Sequence, residues 1–421
     1  MDLSLISLLV LIAVVAVGFL KKVNIGFFSV GAAFLLGTFG GMTAKQIAAG
    51  FSSSMFVTLV GVTFLFGTAS ANGTLDLFSK KIVALVGKRT YLIPILMFVL
   101  SAFISAIGPG HIAAGILMTT FAVYLAFELK INPMATALYA KLGANAGCAS
   151  PLSLTGILAK NLSEPFGYNG FGAHLFFSTL LSGFVFTVIV YLIYKGYNVR
   201  GENPLKLSDI PAFNREQKIT MASIVVMVIF CIGFKFDTGL FAFAAAAALI
   251  LLHCADEKTA IKQIPWGTLM LICGVGVLVN VLDSMGGITL ISNFLASHMG
   301  EKTAVPIIAA TSGILSWVSS TTGVVMPTLY PIANNIVHNF GGSINYVEMI
   351  SAITATSFAA AISPLSTGGA IIMSSYAAAK KDTTIAEMND MFKTLFLLSV
   401  ANVAVNVIMA ALGVFTMGGL F

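Results

Sequence analysis

The sequence predicts an all-α integral membrane protein made of two inverted repeats of five transmembrane helices, each repeat carrying a re-entrant helical hairpin and a broken helix. Three observations lead there. Of the 421 residues 58% are hydrophobic and only 9% are charged, and the mean hydropathy of +0.98 lies far above that of a soluble domain. Apolar runs of about 20 residues, enough to cross roughly 30 Å of hydrocarbon, recur along the whole length. The third observation is a repeat: Ser150-Pro151-Leu152-Ser153 returns as Ser363-Pro364-Leu365-Ser366 after 363 − 150 = 213 residues. Without a gap, that offset also aligns Gly26 with Gly239, Gly61 with Gly274, Gly73 with Gly286, Gly87 with Gly300, Gly110 with Gly323, and Ile131-Asn132 with Ile344-Asn345.

The first repeat, residues 1–196, opens with spans at about 3–20 and 24–40, joined by the basic turn Lys21-Lys22-Val23-Asn24. The first run has no basic n-region and no small-residue cleavage site, so it reads as a span and not as a signal peptide. A third span at about 51–71 leads into an amphipathic segment, 74–86, suited to the membrane interface. The stretch 91–126 is apolar except around Ser105 and Gly108-Pro109-Gly110-His111, which cannot continue a helix. Its arms, at some 14 to 16 residues, are short for a span, which makes it a hairpin whose tip must line an enclosed polar cavity. The broken helix is 133–160, interrupted from Gly143 through Ser150-Pro151, and a fifth span covers about 171–195.

A polar linker, 197–217, joins this half to the second repeat, 218–421, where the same order returns with a hairpin at 304–338 and a broken helix at 348–377. Five spans per half, an odd number, put the halves in opposite orientations. Apart from Lys141, seventeen of the 22 Lys and Arg fall on the side of the Lys21-Lys22 turn, against Lys45, Lys160, Lys235 and Lys302 on the other. That bias makes the linker side cytoplasmic, in the cell membrane, with both termini outside. The +6 net charge is then a topology signal and not the mark of a nucleic-acid partner. Cys148, Cys231, Cys254 and Cys273 show no CxxC spacing, so neither disulfides nor a zinc site is expected.

Each of the four breaks starts a new half-helix, after Gly110, Pro151, Gly323 and Pro364. A half-helix start presents unpaired N–H groups and about half a positive charge, and several aimed at one point make an anion site. Gly and Pro also kink packed membrane helices with no ligand involved, but symmetric pairs of breaks favour function, and duplicated broken helices are the pattern of secondary transporters. Asp76, Glu128, Asp283, Glu301 and Glu348 all lie at span ends or interfaces, which disfavours a proton or metal-cation antiporter. The basic residues placed inside are His111, at a tip, and Lys141, which can either meet a substrate carboxylate or snorkel to the interface.

Candidate substrate contacts are therefore Ser105, Gly108, Gly110, His111, Lys141, Asn145, Ser150 and Ser153 in the first half, and Ser320, Thr321, Thr322, Ser363, Ser366 and Thr367 in the second. Hydroxyls and freed carbonyls suit a hard cation such as sodium as well as a carboxylate, although Ser and Thr also pack between membrane helices without a ligand. Nothing resembles an activated nucleophile, a paired-acid site or a metal-ligand set, so no enzyme and no cofactor are expected.

On the tip sequences Ser319-Ser320-Thr321 and Ser105-Ala106-Ile107, and on the loops Ala149-Ser150-Pro151-Leu152-Ser153-Leu154-Thr155-Gly156 and Ser363-Pro364-Leu365-Ser366-Thr367-Gly368-Gly369, the chain resembles the divalent anion/sodium symporter family of the ion transporter superfamily. It is most similar there to malonate-type dicarboxylate carriers. The family's tip Asn is absent from both hairpins. The resemblance implies a homodimer in which a fixed scaffold holds a moving transport domain, with a small carboxylate and sodium bound between tips and broken helices. It implies one sodium site at Ser319, Ser320, Ile362 and Pro364 and another at Ser105 and Ala149, while Na+ and H+ both stay open as coupling ion. The expected activity is transport of di- or tricarboxylates such as malonate or succinate by an elevator motion. Another anion (a metal–citrate complex or sulfate), an inorganic cation, or an anion channel remain as alternatives.

Overall fold

The computed structural model describes residues 3–21, 23–87, 89–202, 206–234, 236–380 and 382–416. Lys22, Lys88, Lys235 and Lys381, which entered the count of basic residues, lie outside the described residues, as do both chain ends. The first half contains α1 (Leu3–Lys21), α2 (Ile25–Phe39), α3 (Ala44–Ala48), α4 (Ser53–Ala71), α5 (Thr74–Ala84), α6 (Ile93–Ala106), α7 (Gly110–Glu128), α8 (Pro133–Gly147), α9 (Leu154–Ser163) and α10 (Gly172–Ile193). The second contains α11 (Arg215–Gly233), α12 (Thr238–Leu251), α13 (Glu257–Gln263), α14 (Trp266–Ser284), α15 (Gly287–Ser297), α16 (Ala304–Val318), α17 (Met326–Asn339), α18 (Tyr346–Ala360), α19 (Thr367–Ala379) and α20 (Ile385–Ala411).

The 213-residue offset maps α4 onto α14, α5 onto α15 and α8 onto α18 end to end. The residues that signalled the repeat hold these boundaries. Asn132 caps α8 by accepting from the Ala135 N–H, and Asn345 caps α18 by accepting from Val347 and Glu348. Gly73 and Gly286 take left-handed φ values of 74° and 79°, open to glycine without strain, at the bends from α4 into α5 and α14 into α15. The first of those bends is 66°.

Helices from the two halves exchange partners. α2 packs on α14 where Gly26 meets Gly274, and α12 packs on α4 where Gly239 meets Gly61, and the offset turns each crossing into the other. Small residues let the backbones touch, as membrane helices do where apolar burial gives no net drive. These helices, with α1 and α15, form one body, whose large apolar core continues into α9 and α16–α18. The second body is built on the broken helices: α6, α7 and α10 pack on α8, and α16 and α20 pack on α18.

Among the described residues α7, α10, α14 and α20 are long and apolar enough to cross a membrane by length and composition, or five spans if the bent α4–α5 pair counts as one. This corrects one expectation, since α7 at 19 residues is not a short arm. Five spans per half would also need the shorter apolar helices, such as α2 and α12, and the broken ones to cross.

Candidate functional site

The first hairpin folds back on itself. Thr90, before α6, and Leu129, after α7, both lie against Gly201, so the two arms start and end together. α6 runs along α8 in the same direction, with Phe98 beside Gly143 and Ala102 beside Gly147, until the Ser105 hydroxyl donates to the Ala144 carbonyl at 2.7 Å. At the tip, a Cβ on Gly108 would strike the Phe66 ring of α4, and Gly110 opens α7 at φ +68°. The tip chemistry follows from these two glycines: the chain turns in three residues and leaves the first N–H groups of α7 without a side-chain cap.

The two Ser-Pro-Leu-Ser loops are the same turn twice. Ser150 accepts from the Leu152 N–H at 3.3 Å and Ser363 from Leu365 at 3.2 Å. The second serine of each turn donates back to a carbonyl released at the helix end, Ser153 to Cys148 and Ser366 to Ala361. Gly156 and Gly369 complete the motif, because a Cβ on either would run into the Ser150 or Ser363 carbonyl. The hydroxyls singled out in the sequence therefore satisfy orphan backbone groups of their own break. α9 and α19 then start at Leu154 and Thr367, each without a side-chain cap, with Thr367 exposed.

The second tip differs from its counterpart. The half-helix expected after Gly323 begins earlier, in a π-helical turn at Thr321–Val325 that Ser320 caps by accepting from the Gly323 N–H at 3.1 Å. Ser319 donates to the Leu315 carbonyl at 2.6 Å, and Thr321 sits 2.8 Å from the Ser316 hydroxyl and 3.3 Å from the Ser357 carbonyl. Thr322 is buried with no hydrogen-bond partner for its hydroxyl. These bonds engage Ser319 and Ser320 inside the tip and do not join them to buried Ile362 or half-buried Pro364. Ser105 likewise turns to Ala144 and not to Ala149.

A cavity of about 370 Å³ lies between the first tip and α4, lined by Pro109 to Ala114, Ile116, Leu117, Leu154, Thr63, Phe66, Ser70 and the Lys262–Pro265 junction before α14. The uncapped starts of α7 and α9 meet here, with Gly110 in contact with Leu154. His111 lines the cavity, its ring edge-on to Phe358 at 4.7 Å between centroids and its buried Nδ1 without a partner. Behind α7, Lys141 is 2% exposed and donates to the His111 carbonyl at 3.1 Å. Asn145 of α8 donates to the carbonyl of Phe358 on α18 at 3.1 Å, and the offset makes those two residues equivalent, so this bond marks the centre of the repeat pair.

Of the residues named from sequence, Gly110 and His111 line the cavity; Lys141 bonds to the His111 carbonyl behind it, Gly108 and Ser153 adjoin lining residues in the chain, and Ser105, Asn145, Ser150, Ser320, Thr321, Thr322, Ser363, Ser366 and Thr367 are not part of its lining. Thr63, Phe66, Ser70 and Lys262 were not foreseen. Apolar and hydroxyl residues inside a span carry no signal of facing a cavity, and Lys262 sits on a short charged helix that reads as a solvated loop.

Residues 1–148 match the family model described as the dicarboxylate carrier protein MatC N-terminus. No curated protein matches the chain. Among solved structures, the chain is similar to the YdaH transporter of Alcanivorax borkumensis, at 12% identity and a TM-score of 0.58 over 87% of each chain. It is also similar to Neisseria gonorrhoeae MtrF, whose structure was described as illuminating a class of antimetabolite efflux pumps, at 14% identity and a TM-score of 0.53 over 87% of this chain and 82% of that one. The fold is that of membrane transporters. The matched family is a family of carriers and not of enzymes, and it agrees with the resemblance to dicarboxylate carriers over the first third of the sequence.

Proposed function

We propose that the protein is a secondary active carrier of small organic anions, di- or tricarboxylates of the size of malonate or succinate. The observation that carries this reading is the meeting of two uncapped helix starts at one cavity, with His111 in the wall, Lys141 behind it and no acidic residue among the described lining. Two sets of free N–H groups with two partial positive charges favour an anion. A volume of about 370 Å³ is at the small end of ligand pockets and suits a compact substrate.

An elevator motion is supported by an asymmetry between the repeats. The first tip touches α4 at the level of Phe66, through Gly108, whereas the second touches α14 at Leu271, through Gly323. Moved by the 213-residue offset, Leu271 corresponds to Thr58, eight residues from Phe66, while Gly323 corresponds to Gly110, two residues on from Gly108 at the same tip, so the tips meet equivalent helices at different levels. The cavity opens beside the first tip, and the second is packed shut against α14. With the repeats inverted, exchanging their contacts carries the α6–α10 and α16–α20 body along α4 and α14 by eight residues, or about 12 Å at 1.5 Å per residue. In the exchanged state Gly110 meets Thr58 and Thr321 meets Val279. The basic-residue count favours a cytoplasmic position for the Lys262 side, which makes the present state inward-facing with both termini outside, and the resemblance to dicarboxylate carriers adds a homodimer in the cell membrane to this reading.

Uptake of radiolabelled malonate and succinate into proteoliposomes tests the reading, with an inward sodium gradient, a proton gradient, or neither. Saturable uptake of either acid is expected. Dependence on sodium would make the second tip and the Ile362–Pro364 backbone the first place to test for the coupling site, dependence on protons would make it His111, and no accumulation of either label under any gradient, with or without unlabelled malonate inside, would defeat the carboxylate assignment.

A further inference from the structure

Lys141 has a place made for it by both repeats. A Cβ on Gly115 of α7 would come within 2.8 Å of its Nζ, and one on Gly368 of α19 within 2.7 Å of its Cε. The amine uses one donor on the His111 carbonyl. Among the described residues the ion pairs are Lys80–Asp76, Lys130–Glu202 and Lys380–Glu387, none of them near it. A buried ammonium with one carbonyl partner and no counter-ion is expensive in a membrane interior. Its position behind the first turn of α7 puts it next to the N–H groups that face the cavity, so what can neutralise it is an anion held at that turn.

We infer that Lys141 makes the carrier an exchanger. Resting on the anion-carrier reading, the argument concerns which form can make the 12 Å transit. While the cavity is open, water reaches the start of α7 and screens the helix ends that lie beside the buried ammonium. Closing over an empty site removes that water and leaves the ammonium and two helix starts uncompensated in low dielectric, whereas closing over a bound anion seals a near-neutral group. The loaded domain therefore crosses readily, the empty one slowly, and each outward movement of an anion is matched by an inward one. Lys141 acts as a fixed counter-charge where a co-transported cation would otherwise be required.

The test uses the purified full chain in proteoliposomes loaded with radiolabelled malonate, with efflux followed into buffer with and without external malonate. Wild type should release label on the order of tenfold faster, or more, with malonate outside, the scale expected when one buried charge separates the two transits. Lys141→Gln should bring that ratio towards one, with efflux into malonate-free buffer no slower than wild type, and Lys141→Arg should restore the ratio. General damage to the fold would lower both rates together. If Lys141→Gln moves no malonate, disulfide trapping of Val279→Cys with Thr321→Cys in that background decides: malonate-independent trapping supports the inference, and trapping that still requires malonate overturns it. A wild-type ratio near one, or Lys141→Gln keeping the wild-type ratio, overturns it while leaving the carrier reading intact. No release from wild type under either condition defeats both.

Discussion

A disulfide between Leu271→Cys and Gly323→Cys should stop transport completely, and reduction should restore it. This is the largest effect expected of any change described here. A Cβ on Gly323 would press on the Leu271 side chain, so the paired cysteines fall within bonding reach in the present state. The four native cysteines are unpaired thiols and would first be replaced. The bond ties the second tip to α14, the contact that must break if the domain is to travel two helical turns. In the exchanged state Val279→Cys and Thr321→Cys should become the bridging pair. Conditions that raise one cross-link should lower the other. Full activity with the Leu271–Gly323 disulfide formed would contradict movement of this tip against α14, and with it the elevator reading.

Alanine at Gly156 or at Gly369 should each lower stability by about 1–3 kcal/mol, the usual range for forcing atoms into a packed site. The upper end is expected because the new Cβ meets backbone, the Ser150 or Ser363 carbonyl, and not the far end of a flexible side chain. Thermal unfolding of the detergent-solubilised protein reads the effect. The two substitutions should be alike in size, since the turns share their hydrogen bonds, and the double variant should be close to additive because the loops lie in different repeats. A wild-type melting temperature for either variant would mean that the break relaxes freely, and the account of the turn would be wrong. Gly31 is the control, with nothing within 4 Å of an added Cβ.

Much of the architecture was legible because the duplication preserved the residues that geometry constrains. Asn132 and Asn345 are helix caps, Gly73 and Gly286 are left-handed bends, and Gly26, Gly61, Gly239 and Gly274 are the backbone crossings between halves. Each is a position where one residue type is needed for a local reason, so it survives in both copies and reports its element. The breaks were legible for the same reason, although their starts were misplaced by up to three residues. The π-helical turn at Thr321 depends on a Ser320 hydroxyl folding back onto Gly323, which no spacing rule distinguishes from a hydroxyl offered to a ligand.

The candidate site was less legible. Dense serines around a break read identically whether they bind an anion, a cation or their own backbone, and Ser153 and Ser366 do the last of these. The wall of the cavity on α4 could not be read at all, because Thr63, Phe66 and Ser70 belong to a span whose other faces are equally apolar. The asymmetry between the tips is invisible in principle: two copies of one pattern say nothing about which is open. Lys141 was visible as an anomaly, a charge eight residues into an apolar run, but its slot between Gly115 and Gly368 needs the fold.

Counterflow of radiolabelled malonate is the measurement that bears most directly on the central claim, that this chain is an alternating carrier of small carboxylates. Proteoliposomes loaded with unlabelled malonate are diluted into trace label, and internal label is followed over time. A carrier should accumulate label above its external concentration, briefly if net efflux runs down the internal pool and lastingly if exchange dominates, with unlabelled succinate outside competing. Simple equilibration of label without an overshoot, unaffected by competing dicarboxylate, would contradict the account and indicate a channel-like path or a different substrate.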